Sequence, residues 1–169
     1  MRDLTLIGTQ CERELEAIGI KCGWITQYTV NTRATGRKGL CSGSARSGYV
    51  IDIAEILLRE DIPMNELRNT VFHELLHTCK GCMNHGDKWK SLARKVNQAY
   101  GLNISRVASK DEKSVQIMLD QREKSAKYRY VCENCGKEHV QQRASYFTRH
   151  PEAYSCGRCK TVGKWKRVV

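Results

Sequence analysis

HELLHTCKGCMNHGDKW, residues 73–89, places three histidines, two cysteines, a glutamate and an aspartate within one short stretch. His73 and His77 lie four apart, so on an α-helix both imidazoles emerge on one side, while Glu74, one residue on, is set to reach a metal-bound water rather than the metal. That H-E-x-x-H arrangement is the pattern of a catalytic zinc. The metal lowers the pKa of its water towards roughly 7, and a nearby carboxylate takes the proton and later hands it to a leaving amine.

The flanking residues supply the helix that such a motif needs. Asp61 and Pro63 resemble a helix start, with a capping side chain and a proline in the first turn. Leu67, Val71 and Leu75 then repeat every four residues as a buried stripe, on a different face from the histidines. A second helix is expected from about Asp87, where Trp89, Leu92, Ala93, Val96 and Tyr100 share one face and Gly101 stops it.

A catalytic zinc takes three protein ligands and keeps a fourth position open. The metzincin continuation is excluded, because Lys80 stands where its glycine belongs and Met83 where its third histidine belongs. The nearby donors are Cys79, Cys82, His85 and Asp87. Cys79 would lie about 200° round the helix from His77 and so faces away. Beyond Gly81 the chain can turn back, which makes His85, beside Gly86, the preferred ligand and Cys82 the second choice. Were both cysteines to bind, the site would be closed and the catalytic reading would weaken.

Upstream, Leu4, Ile7, Cys11, Leu15 and Ile18 mark an amphipathic helix that Gly19 can end. Three strand-forming segments follow, Trp24 to Asn31, Leu40 to Ser44 and Tyr49 to Ala54, separated by glycine-bearing turns. They are expected to make a small antiparallel sheet. The basic turn with Arg33, Arg37 and Lys38 reads as a solvated loop, with phosphate contact as the alternative. The expected class is therefore α+β, with residues 1–105 as a core of helices packed on that sheet. Residues 106–127 are charged and weakly patterned, and read as a connector.

Residues 128–169 change texture. Cys132-x-x-Cys135 and Cys156-x-x-Cys159, twenty residues apart, have the two-knuckle spacing of a four-cysteine zinc ribbon, with Gly136 and Gly157 expected to ease the tight turns. Four sulfurs fill the tetrahedron, so this zinc is structural. His139 and His150, between the knuckles, read as ordinary solvated or hydrogen-bonded histidines. Nine lysines and arginines in this segment stand against three glutamates, interleaved with Tyr128, Tyr130, Tyr146, Phe147, Tyr154 and Trp165. Cations with aromatics suit phosphate contact and base stacking, single strands above all. Arg143, Arg149, Lys160, Lys164, Lys166 and Trp165 are the candidate nucleic-acid contacts.

The bulk numbers agree with this division. A formal charge of +11 and a pI near 9.3 favour polyanionic partners. Charged residues interrupt the N-terminal segment, and apolar runs such as IAEILL at 53–58 are too short to span a bilayer. A cytoplasmic protein with no membrane partner is expected, and there nine cysteines read first as metal ligands rather than disulfides.

HELLH followed by HGDKW resembles the SprT-like metalloprotease family, whose pattern is H-E-x-x-H, a variable loop, then H-G-x-x-aromatic. Here those positions are His73, Glu74, His77, His85, Gly86 and Trp89. The resemblance extends to the order of helix, small sheet and motif helix, and to the C-terminal ribbon. It implies a zincin-like core, with His85 as third zinc ligand, Glu74 as catalytic base and two zinc ions, one catalytic and one structural. It further implies a peptidase acting on DNA-associated proteins or DNA-protein crosslinks. Two alternatives stand beside it. One is a non-proteolytic nucleic-acid-binding module whose first zinc is closed by Cys82. The other is a hydrolase of nucleic acid itself, which a lone zinc without a second, carboxylate-rich metal site disfavours. Tyr28, Tyr100 and Arg106 are the candidates for stabilising an oxyanion.

Overall fold

The computed structural model describes residues 1–168, and the chain divides into two compact units, 1–117 and 118 onward. Among the described residues, five α-helices and two three-stranded sheets make it an α+β protein. Among the described residues no helix is long and apolar enough to cross a membrane.

In the first unit, α1 (Leu4–Ala17) begins where the Asp3 carboxylate accepts from the Leu6 N–H and ends before Gly19, whose φ of +73° reverses the chain. Three strands follow, β1 (Ile25–Asn31), β2 (Gly39–Ser44) and β3 (Gly48–Ala54), in the spatial order β1-β3-β2. The sheet is mixed rather than antiparallel: β1 runs parallel to β3, and only β2 and β3 form a hairpin. The segment 32–38 is not a tight turn. It carries the chain past the central position to the far edge, and β3 then returns into the gap.

The inward face of this sheet, with Ile51 and Ile53 fully buried, packs on α2 (Met64–His77). Leu67, Val71 and Leu75 form the expected buried stripe, but Phe72, Glu74, Leu76 and His77 are buried too, so α2 is the central helix of the unit. Its N-cap is Pro63, without a side-chain cap. Asp61, expected to cap it, instead pairs with Arg59 and Lys113, which hold its carboxyl down at about 2. Next comes α3 (Asp87–Tyr100), opening at Gly86 and ending at Gly101 in the left-handed conformation.

The charged stretch after residue 105 is tied to the first unit over part of its length. The buried Glu66 carboxylate accepts the N–H groups of Lys113 and Ser114, capping α4 (Lys113–Lys124) from a distant helix, and Lys38 pairs with Glu112. The division between units falls inside α4.

The second unit is a small antiparallel sheet of β4 (Tyr128–Cys132), β5 (Glu138–Gln141) and β6 (Trp165–Arg167), ordered β5-β4-β6. A single-turn helix, α5 (Tyr146–Arg149), is closed by a capping box between Ser145 and Thr148. Phe147 is the hub of the unit's apolar centre, with ring centroids of Tyr130, His139, Tyr154 and Trp165 between 4.8 and 5.8 Å away. So few apolar groups supply little core.

Candidate metal sites

His73 and His77 leave the last turns of α2 on the same side, and His85, just before α3, faces them. The ring nitrogens of the three lie within 4.8 Å of one another. Nε2 of His73 is 2.9 Å from Nε2 of His85. Two ligands of a tetrahedral zinc with Zn–N bonds of the usual length stand about 3.3 Å apart, so His73 and His85 need only separate slightly around an ion.

The protons are placed for that role. His73 Nδ1–H donates to the Ser105 carbonyl at 3.0 Å and His77 Nδ1–H donates to the Cys82 carbonyl at 2.8 Å. A carbonyl only accepts, so each bond leaves the Nε2 lone pair free for a cation. Burial first, then the neighbouring His77 and His85, lowers the His73 pKa to about 4, and burial with His77 and Arg106 lowers that of His85. Both are thereby neutral donors.

Trp89 underlies all three imidazoles. Its buried ring lies 4.8 Å from His73, 5.7 Å from His77 and 4.7 Å from His85, and packs nearly parallel to His77. Its sequence pattern marked it as a core anchor of α3, and it is also the platform of the histidine group.

Glu74 is buried beside β2, where it accepts from the Cys41 backbone N–H. Burial pushes its carboxyl up to about 7, opposed by that hydrogen bond and by the Arg37 cation. Gly39 makes room for it: a Cβ on Gly39 would fall 2.6 Å from Glu74 Oε1. In the sequence Gly39 reads as part of a turn, and only the fold shows what it approaches.

The other donors are accounted for. Neither Cys79 nor Cys82 belongs to the histidine group. Cys82 contributes its carbonyl oxygen to His77, and its thiol contacts the Lys80 carbonyl at 4.0 Å. Asp87 begins α3 and is exposed. Of the oxyanion candidates, Tyr28 donates to the Glu12 carboxylate and Tyr100 to the Glu14 carbonyl, so both phenols are engaged with α1. Arg106 is near enough to His85 to act on its charge.

Cys132, Cys135, Cys156 and Cys159 form the second group, with all sulfurs within 4.8 Å. The Cys132–Cys159 and Cys135–Cys156 sulfur distances are 3.7 and 3.6 Å, close to the roughly 3.8 Å of a tetrahedral zinc with normal Zn–S bonds. The positive-φ positions of the knuckles are Gly136 (+68°) and Lys160 (+62°), each following its knuckle's second cysteine, and not Gly157. Their N–H groups close the turns onto the Cys132 and Cys156 carbonyls at 2.8 and 2.9 Å.

Among the candidate nucleic-acid contacts, Arg143, Arg149, Lys160, Lys164 and Lys166 are exposed, whereas Trp165 is half-buried against Phe147 and His139. Of the aromatics in this second unit, Tyr146 and Tyr154 are exposed. His139 packs on Phe147, and His150 stacks on Tyr146 beside the Glu152 carboxylate.

Comparison with curated proteins finds no match. The profile of the SprT-like family matches residues 20–108, which include the sheet, α2, the three histidines and α3. That match covers more than half of the chain: the protein belongs to the SprT-like family.

Proposed function

We propose that the protein is a zinc-dependent peptidase that cleaves proteins associated with DNA. The observation that carries this is the pairing of three convergent histidines with the buried carboxylate of Glu74, all delivered by α2 and the start of α3. His73, His77 and His85 would hold the ion. Zinc bound there supplies Lewis acidity, which makes a neighbouring water acidic and a peptide carbonyl electrophilic. Glu74 accepts the water's proton on its carboxylate and returns it to the departing amine. The Ser105 and Cys82 carbonyls keep the imidazoles in the tautomer that can bind a cation.

Substrate has a natural berth. β2 pairs only with β3 among the described residues, so its outer edge is open beside Glu74, and an extended peptide can add to it as a further strand. The closed-site alternative requires the Cys82 thiol, and Cys82 offers its carbonyl instead. The four-cysteine group would hold the structural zinc of a ribbon. Its exposed Arg143, Arg149, Lys160, Lys164 and Lys166, with Tyr146 and Tyr154, suit single-stranded DNA.

The test is metal removal and restoration. Purified protein is incubated with histone or casein, with and without single-stranded DNA, before and after chelation. Cleavage that stops on chelation, returns with stoichiometric zinc and rises with DNA is expected. Cleavage that survives complete removal of zinc from the histidine site overturns the reading.

A further inference from the structure

Two connections of the first unit meet at Gly23 and Thr78. The connection from α1 to β1 carries Cys22, and the connection from α2 to α3 carries Cys79. At the adjoining residues the Gly23 N–H donates to the Thr78 hydroxyl at 3.0 Å, and a Cβ on Gly23 would lie 2.9 Å from the Thr78 carbonyl oxygen, so the two backbones run in close contact. The thiols of Cys22 and Cys79 are near enough to act on each other, and Cys79 Sγ also reaches the Leu75 carbonyl at 4.0 Å. Cys79 is buried, with a relative exposure of 6%, while Cys22 is half-buried at the edge of the same cluster. Cys82, three residues on, turns its thiol towards the Lys80 carbonyl.

We propose that Cys22 and Cys79 are an oxidation site, a thiol pair that hydrogen peroxide converts to a disulfide, tying the α1–β1 connection to the segment between His77 and His85. The two thiols interact on segments held together at Gly23 and Thr78, so the bond draws together side chains that are already neighbours. One thiol of the pair attacks the peroxide O–O bond, becomes a sulfenic acid and releases one water. The other thiol then attacks that sulfur, and the S–S bond forms as the hydroxyl leaves with the thiol proton as a second water. Two thiols and one peroxide thus give one disulfide and two waters. The new loop spans Cys22 to Cys79, long enough to restrict the unfolded chain strongly. One end of that staple lies two residues beyond His77.

Trypsin separates the three cysteines. Cys22 falls in residues 22–33, Cys79 in 69–80 and Cys82 in 81–88. The zinc-loaded protein is treated with stoichiometric hydrogen peroxide, alkylated, digested without reductant and mapped by mass spectrometry. The expected product is a cross-link of 22–33 to 69–80, lost on reduction, absent from Cys22→Ser and Cys79→Ser, and retained in Cys82→Ser. Thermal unfolding of the oxidised wild type is expected to rise by about 5 °C or more, a shift the two serine variants lack. Recovery of both peptides with alkylated thiols while peroxide is consumed elsewhere overturns the proposal. So does a cross-link through 81–88, or a Cys22–Cys79 bond with no rise in the unfolding midpoint.

Discussion

Gly39→Ala adds one methyl group beside the carboxylate on which the proposed chemistry turns. No positive φ is required at Gly39, so alanine meets no backbone strain, and its effect is confined to the contact. The new Cβ would lie 2.6 Å from Glu74 Oε1, 2.8 Å from Cγ and 3.0 Å from Cδ. Ordinary contact starts at 3.4 Å, so the carboxylate must retreat by about 0.8 Å. Retreat is costly, because Glu74 is buried and anchored by the Cys41 N–H, and β2 cannot easily yield while all six of its residues pair with β3. Displacing a reacting group by about an ångström costs on the order of 10²-fold, or about 2.7 kcal/mol in the barrier. Overpacking also destabilises the fold by about 1–3 kcal/mol. Steady-state cleavage of a quenched fluorescent peptide should therefore show kcat/KM down about 100-fold, with the zinc content of the histidine site unchanged. Activity within threefold of wild type would refute the claim that Gly39 sets the position of Glu74.

Three further outcomes follow from the packing. Trp89→Ala removes the shared platform of the three imidazoles and should cost about 3–5 kcal/mol in denaturant unfolding, with loss of histidine-site zinc measured by elemental analysis. Lys160→Gly relieves a left-handed lysine at a zinc knuckle and should raise the stability of the ribbon by about 0.5–1 kcal/mol, read from the chelator concentration at which its amides begin to exchange. Cys132→Ser should lower zinc content by one equivalent per chain and open residues 128–168 to limited proteolysis, since their few buried aromatics make too small a core to stand alone.

What the sequence discloses here is local. Helical periodicity places α1, α2 and α3 because each needs only spacings of three and four and a stop such as Gly19 or Gly101. The paired knuckles are equally plain, because cysteine spacing carries the geometry. What escapes depends on partners far away in the chain. Strand periodicity says nothing about which neighbour a strand takes, so β3's return between β1 and β2 is invisible until the sheet is assembled. Gly39 gains its role from Glu74, His73 and His77 their tautomers from the Ser105 and Cys82 carbonyls, and the α4 N-terminus its cap from Glu66. A residue-type expectation also misplaced one conformation: the second knuckle puts its left-handed turn on Lys160 although Gly157 is close by, because the turn follows the second cysteine and not the nearest glycine.

The central claim is that Glu74 moves the proton in a zinc-dependent peptide cleavage, and Glu74→Gln tests it most directly. Glutamine keeps the size of the side chain and its acceptor for the Cys41 N–H but cannot take up a proton at neutral pH. Wild type and variant, each shown to carry zinc at the histidine site, are compared on the same histone substrate with single-stranded DNA present. The account predicts that cleavage falls by at least about 10²-fold, the scale of a lost general base, with zinc and fold retained. Equal cleavage by the two proteins would contradict it.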